Sequence, residues 1–256
     1  MKRIEILQEL KELYKTNIKN NYFNIKNRTH CGSEGHFIEK LLNIKVNCKN
    51  EPDYKGFEIK KRSDKISFGD WVSTGYLFNQ DKFMKKFNNI KINIDRDDFM
   101  KFFGNYNIKK ERYSWSGKCI PKYDKWNYNG TILTTDDLNN LYIIYSNTKD
   151  KRNIYLPELF KKEKYIILQY WDHKYLKKKV ENKFNNLGFI IFDKDENGYY
   201  NKMLIGERIN YNFFINCIKN GSIFFDSGMY QGNKRKYSQF RARFNLWDKL
   251  IIEEYS

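Results

Sequence analysis

Three prolines and three histidines in 256 residues provide no proline-rich linker and little material for a histidine-built centre. The four cysteines, Cys31, Cys48, Cys119 and Cys217, form no Cys-x-x-Cys pair and do not sit with histidines at zinc spacing. Buried reduced thiols are therefore expected, not a structural zinc. No stretch approaches the ~20 consecutive apolar residues of a membrane span. Met1-Lys2-Arg3-Ile4-Glu5 lacks the apolar run of a signal peptide, so a cytoplasmic protein is expected. There is no internal repeat and no glycine-rich phosphate loop of Walker type. Asp193-Lys194-Asp195-Glu196-Asn197-Gly198 imitates a calcium-binding EF-hand loop. Leu204, however, stands where the bidentate Glu is needed, and Asn197-Gly198 is a hairpin-turn signal, so residues 189–205 read as strand, turn, strand.

Acidic residues are also in short supply: 48 Lys and Arg against 31 Asp and Glu leave a net charge of +17. Such a chain is drawn to polyanions. Neutralising phosphates supplies most of the sequence-independent part of DNA binding, so the excess is the electrostatic footprint of a DNA-binding protein. Ribosomal association or an anionic membrane surface would satisfy the same charge. Twenty Tyr and 20 Phe suffice for a real core despite a mean hydropathy of −0.83. One unit over 1–256 is expected, with two lobes. Abundant Lys, Asn and Ile suggest an AT-rich coding genome.

Residues 51–60, Glu-Pro-Asp-Tyr-Lys-Gly-Phe-Glu-Ile-Lys, are the most informative stretch. Phe57 and Ile59 alternate with polar neighbours, so a strand here turns them into a core and points Glu58 and Lys60 together to the opposite side. Asp53 lies upstream, where Pro52 and Gly56 let the chain bend and bring its carboxylate alongside Glu58. Two carboxylates in one small volume are relieved by a divalent cation. Oxygen ligands with room for water favour Mg2+ over zinc. Lys60 would then orient or help deprotonate the attacking water and counter charge on the phosphate. A loose Asp-x4-Glu-x-Lys also arises by chance in a chain this rich in charge.

Upstream, Phe37, Ile38, Leu41 and Leu42 recur at helical spacing after Ser33, a candidate cap. Glu39 is on that helix, beside the apolar stripe, where it can support the same cation or simply face solvent.

The run Gly32-x-x-Gly35-x-x-x-Glu39, then Pro52-Asp53-x-x-Gly56-x-Glu58-x-Lys60-x-Arg62, resembles the MvaI/BcnI group of type II restriction endonucleases. These belong to the PD-(D/E)xK superfamily and are relatives of the repair nickase MutH, whose second interval is longer. Residues 203–250 resemble the group more loosely through Asn220 to Met229 and Phe240-Arg241-Ala242-Arg243-Phe244. The resemblance implies an α/β (α+β) fold, a mixed β-sheet flanked by helices and two-lobed around a DNA cleft. The catalytic lobe would contain 32–62, and recognition elements would lie at about 176–256. It also implies that Asp53 and Glu58 ligate Mg2+, that Lys60 manages the nucleophilic water and that Glu39 supports the metal site. A monomer is implied, with a cognate DNA methyltransferase as its genetic partner. The base-reading histidines of some members have no counterpart among His30, His36 and His173, so no target sequence is carried over.

Elsewhere, Ile4, Leu7, Leu10 and Leu13 predict an amphipathic helix over 2–16, followed by a loop or DNA-facing connection over 15–27. Phe83, Met84 and Phe87 predict a helix over 80–89. Tyr142 to Tyr145 and Tyr165 to Leu168 suit interior strands of a nuclease sheet. Leu176 to Phe184 reads as a basic helix, and Phe189 to Phe192 as the next strand.

For DNA contact the first candidate is the block 234–243, with Lys234, Arg235, Lys236, Gln239, Arg241 and Arg243 able to meet base edges or phosphates. The second is Lys109 to Lys118, including Arg112, where aromatics interleave with cations; an ordinary surface hairpin has the same look. Lys61 and Arg62 follow the catalytic strand and are placed for phosphates near the scissile bond.

The function expected is Mg2+-dependent, sequence-specific hydrolysis of double-stranded DNA by a type II restriction endonuclease. A MutH-like nickase and a basic nucleic-acid-binding protein without metal chemistry are the alternatives.

Overall fold

A computed structural model describes residues 3–24, 26, 32–45, 50–79 and 94–256. The predicted helix over 80–89, His30, Cys31 and Cys48 lie outside the described residues. Contacts gather into two compact units. Unit 1 comprises Met1–Ile66, Lys178–Phe214 and Ala242–Ser256, and unit 2 comprises Ser67–Lys177 and Ile215–Arg241. Much of the range expected to hold recognition elements thus belongs to the unit that carries residues 32–62.

Unit 1 is built on a four-stranded sheet in the order β1 (Phe57–Lys61), β2 (Gly188–Lys194), β3 (Tyr200–Gly206), β4 (Ile251–Tyr255). β1 runs parallel to β2, with Glu58 opposite Phe189 and Lys60 opposite Ile191, while β2, β3 and β4 are antiparallel. β2 and β3 form the expected hairpin, and Gly198 takes the left-handed turn conformation at φ +87° that a residue without Cβ adopts freely.

Helix α1 (Arg3–Leu13) covers one face of the sheet. Its buried stripe is Ile6, Leu7 and Leu10, whereas Ile4 is 68% exposed, so the predicted three-residue step is shifted. The reason is the wider apolar face of a packed helix, which follows i, i+3/i+4 spacing. The helix does not give way to a loop at Lys15. A π-helical turn, Tyr14–Ile18, continues it and buries Tyr14 and Ile18 completely. Helix α2 (Ser33–Leu41) adds Ile38 and Leu42 to the same core. Ser33 is its first helical residue and Gly32 occupies the cap position, with no side-chain cap bond.

In unit 2 the strands Gly75–Tyr76, Ile166–Trp171, Leu141–Asp150 and Asn129–Thr135 form a second four-stranded sheet. The runs from Tyr142 and Tyr165 are therefore interior strands, but of this sheet and not of the one that carries Glu58. A short apolar run encodes burial on both faces, not which sheet buries it. A three-stranded sheet of Met229–Tyr230, Arg112–Trp115 and Asn105–Asn107 also lies in this unit. Its core is aromatic, with Trp115, Trp171, Phe99, Phe225 and Phe240 in edge-to-face or tilted contact. Among the described residues, Cys119 and Cys217 are free, buried thiols, and no helix is long and apolar enough to cross a membrane.

Candidate active site

A two-residue hairpin assembles the site. Tyr54 and Phe57 exchange backbone hydrogen bonds at 2.9 and 2.8 Å around Lys55 and Gly56, whose φ angles are +42° and +102°. This loop reverses the chain so that Asp53 comes back alongside β1, and Asp53 Oδ2 accepts the Ile59 N–H at 3.0 Å. The bend is made at Lys55-Gly56; Pro52 lies outside it.

On β1, Phe57 and Ile59 enter the core with Ile6, Leu10, Ile38 and Leu42. Complete burial of Phe57 contributes about 2–3 kcal/mol and sets the orientation of the strand. Glu58 and Lys60 consequently share the other face. Lys60 Nζ donates to Glu58 Oε1 at 2.6 Å and stands 5.7 Å from the centre of the Phe184 ring. A second ammonium, Lys183 Nζ, lies 3.0 Å from the same oxygen. It comes from helix α3 (His173–Phe184), whose Leu176, Val180 and Phe184 are fully buried.

Glu58 is 1% exposed, and its Oε2 is buried with no hydrogen-bond partner. Burial pushes its carboxyl up, the lysines pull it back, and Asp53 adds to the rise. Burial likewise raises Glu39, with the charge of Asp53 the next contributor, which couples Glu39 electrostatically to the site. Burial pulls the Lys183 ammonium down, but Glu58, Asp53 and Glu39 together hold it above its ordinary value.

Asp53, Glu58 and Glu39 therefore form an acidic site in which the charge of Asp53 raises both glutamates, with one orphaned buried oxygen. Those donors fit a hard divalent cation, which would reverse the repulsion. It is not a closed cage: among the described residues no group of three or more His, Cys, Asp and Glu is gathered to hold an ion.

Sequence reasoning missed Lys183. The signal was available, since Lys183 is three residues past Val180 and one before Phe184 on the apolar side of a helix otherwise read only as basic.

Most of the remaining predicted residues are engaged with neighbours. Lys61 points to the face opposite Lys60 and meets Glu34 Oε2 of α2 at 2.6 Å. Glu34 Oε1 also accepts from Tyr200 at 3.0 Å and pairs with Lys194 at 2.5 Å. Arg62 pairs with Asp193 and lies 4.0 Å over Phe244. In unit 2, Arg112 stacks 3.5 Å from the centre of the Tyr230 ring. Arg235 pairs with Asp70 at 3.1 Å, and Lys236 lies 5.4 Å over Tyr76. Arg241 bonds Gln239 through Nε at 2.8 Å and pairs with Asp226 at 3.3 Å. Lys234 and Arg243 are exposed.

A mixed sheet with helices, carrying Asp, Glu and Lys on a hairpin and its strand, defines the class of PD-(D/E)xK nucleases. Its fold is that of the restriction endonuclease MvaI in a complex with cognate DNA, at a TM-score of 0.65 over 98% of both chains and 16% identity. The type II restriction enzyme ScrFI of Lactococcus lactis subsp. cremoris is 35% identical over 263 residues, 96% of this chain and 97% of that one. Residues 15–255 match the LlaMI restriction endonuclease family, and the chain belongs to it. It is a type II restriction endonuclease, a hydrolase that cleaves double-stranded DNA at a specific sequence. Membership implies divalent-metal catalysis and removes the reading of a basic binder without chemistry.

Proposed function

We propose that this chain hydrolyses the phosphodiester bond with Mg2+ held by Asp53 and Glu58, supported by Glu39. The observation that carries this reading is the split state of the Glu58 carboxylate: Oε1 is taken by two ammoniums, and Oε2 is buried, unpartnered and available. Bound Mg2+ supplies Lewis-acid activation of the attacking water and of the scissile phosphate.

The protein's own groups do the rest. Asp53 is held by the Ile59 N–H, which leaves its other oxygen for the cation. Lys60 sits where it accepts or steers the proton of the attacking water and offsets charge on the phosphate in the transition state. Lys183 keeps Glu58 in place from the helix side. Attack is in line: an oxygen–phosphorus bond forms as the bond to the 3′ oxygen breaks.

Double-stranded DNA is the partner, drawn by the net charge of +17. The block 234–243 is the segment we assign to sequence reading. One copy carries Asp53, Glu58, Lys60 and Glu39 together, so a monomer suffices to cut one strand at a time.

Digestion of a sequenced plasmid with Mg2+, followed by run-off mapping of the ends, tests this. Discrete repeated sites that vanish with EDTA support it. Uncut plasmid, or nicked circles alone at excess enzyme, refutes it, the second result favouring a nickase.

A further inference from the structure

The hairpin that delivers Asp53 is gripped from outside by the first helix. Its loop residues, Lys55 and Gly56, both have positive φ, the type I′ geometry that matches the twist of the flanking strands. Gly56 suits that geometry. Lysine does not, because its Cβ is crowded in the left-handed region, where Asn, Asp or Gly is the usual first residue. A Lys-Gly loop is thus weakly specified by its own sequence and needs support from elsewhere.

Glu9 of α1 provides it. Its Oε1 accepts the Tyr54 hydroxyl at 2.6 Å, and Lys55 Nζ reaches Oε1 at 2.6 Å and Oε2 at 2.7 Å. One carboxylate therefore holds two consecutive residues of the turn, one of them the strained one. Tyr54 is itself buried and its hydroxyl bond partly so, while the Lys55 pair is about 40% exposed on each side and screened by salt. The helix behind Glu9 is anchored by Ile6, Leu7 and Leu10 in the same core as Phe57 and Ile59, so the grip is made from a fixed support.

We propose that Glu9 is a positioning residue for DNA cleavage: by holding Tyr54 and Lys55 it fixes the turn that sets the Asp53 carboxylate beside Glu58. This rests on the assignment of Asp53 to the cation site. Glu9 does not touch the reacting atoms in this scheme. It acts through the conformation of the loop, so it affects cation binding and the chemical step, not the affinity for DNA.

Full-length Glu9→Ala, Tyr54→Phe, Lys11→Ala and Asp53→Asn proteins test it. Three quantities are read: the single-turnover cleavage rate in Mg2+, the DNA affinity in EDTA, and Mn2+ binding by calorimetry. Glu9→Ala is expected to slow cleavage on the order of tenfold to a hundredfold, with weaker Mn2+ binding and DNA affinity within about twofold. Tyr54→Phe, which keeps the ring in the core, moves the same two quantities less far, and serves should Glu9→Ala fold poorly. Lys11→Ala, which removes the ion pair to Glu253 from the same helix, leaves all three unchanged. If Asp53→Asn is inactive while both Glu9→Ala and Tyr54→Phe match wild type, the clamp is overturned and the site assignment stands. If Asp53→Asn still cuts at the wild-type rate, the site assignment falls and the proposal with it. Equal losses in Lys11→Ala and Glu9→Ala would reduce the effect to general helix docking and also overturn the proposal.

Discussion

Lys183 Nζ lies 3.0 Å from Glu58 Oε1, tying the last turn of a helix to an edge strand across the most deeply buried carboxylate of the site. Lys60 reaches the same oxygen from its own strand, so the two ammoniums have different duties. Lys183 is held on the rigid apolar side of α3 as a fixed counter-charge, whereas Lys60 is the ammonium we assign to the substrate.

Removing the fixed partner leaves Glu58 buried with one ammonium instead of two. Lys183→Ala should cost about 2 kcal/mol of stability, read as a lowered urea midpoint, and should also slow cleavage. A variant as stable and active as wild type would show that Lys60 alone neutralises Glu58.

Lys60→Ala separates binding from chemistry. In the proposed scheme the side chain contributes to proton transfer and charge at the phosphate, so cleavage should fall by at least about a hundredfold. Affinity for the duplex in a gel-shift assay without Mg2+ should hardly change. Loss of binding in parallel with cleavage would place Lys60 in the DNA interface instead.

Gly56→Ala strikes the hairpin directly. At φ +102° a new Cβ would lie 3.0 Å from the side chains of both Asn186 and Leu187. Strain and crowding together should destabilise by about 1–2 kcal/mol, and cleavage should slow because Asp53 rides on this turn. Circular dichroism during urea unfolding and single-turnover cleavage measure the two effects; an unaltered midpoint would mean the loop has room to relax.

Glu39 carries a pH signature. Burial, and after it the Asp53 charge, raises its folded-state pKa above the ordinary 4.5. The native state then holds the proton more tightly than the unfolded chain. Stability contributed at low pH is accordingly lost as pH rises from the ordinary value through the raised one, and the full penalty persists above it. Glu39→Gln removes that penalty, so the variant should melt higher than wild type at pH 8, by a margin that vanishes near pH 4, while cutting more slowly. A lower melting temperature at pH 8 would contradict the raised pKa.

The strand of Glu58 and Lys60 was legible because alternation is a local code. Phe57 and Ile59 could be buried only by turning Glu58 and Lys60 the other way, and Gly56 marked the bend that returns Asp53. The helix of Glu39 and the hairpin at Asn197-Gly198 were legible for the same reason: period and turn chemistry are written in neighbouring residues. Less local features were misread or missed. The run from Tyr142 was legible as an interior strand but not the sheet that takes it, since apolar residues report burial but not their partner. Lys61 and Arg62, expected to lie near phosphates, meet Glu34 and Asp193, partners from elements far away in sequence that no neighbouring residue announces.

By itself, then, the order of residues determined the make-up of the proposed centre: two carboxylates and an amine on a hairpin and strand, in a chain charged for DNA. Tertiary structure alone decided how that centre is held. It brought Lys183 from a distant helix onto Glu58, and Glu9 from the first helix onto Tyr54 and Lys55. Side chains two apart on a strand must share a face whatever surrounds them, but a buried charge takes its counter-ion from whichever element packs over it, and only the folded core selects that element.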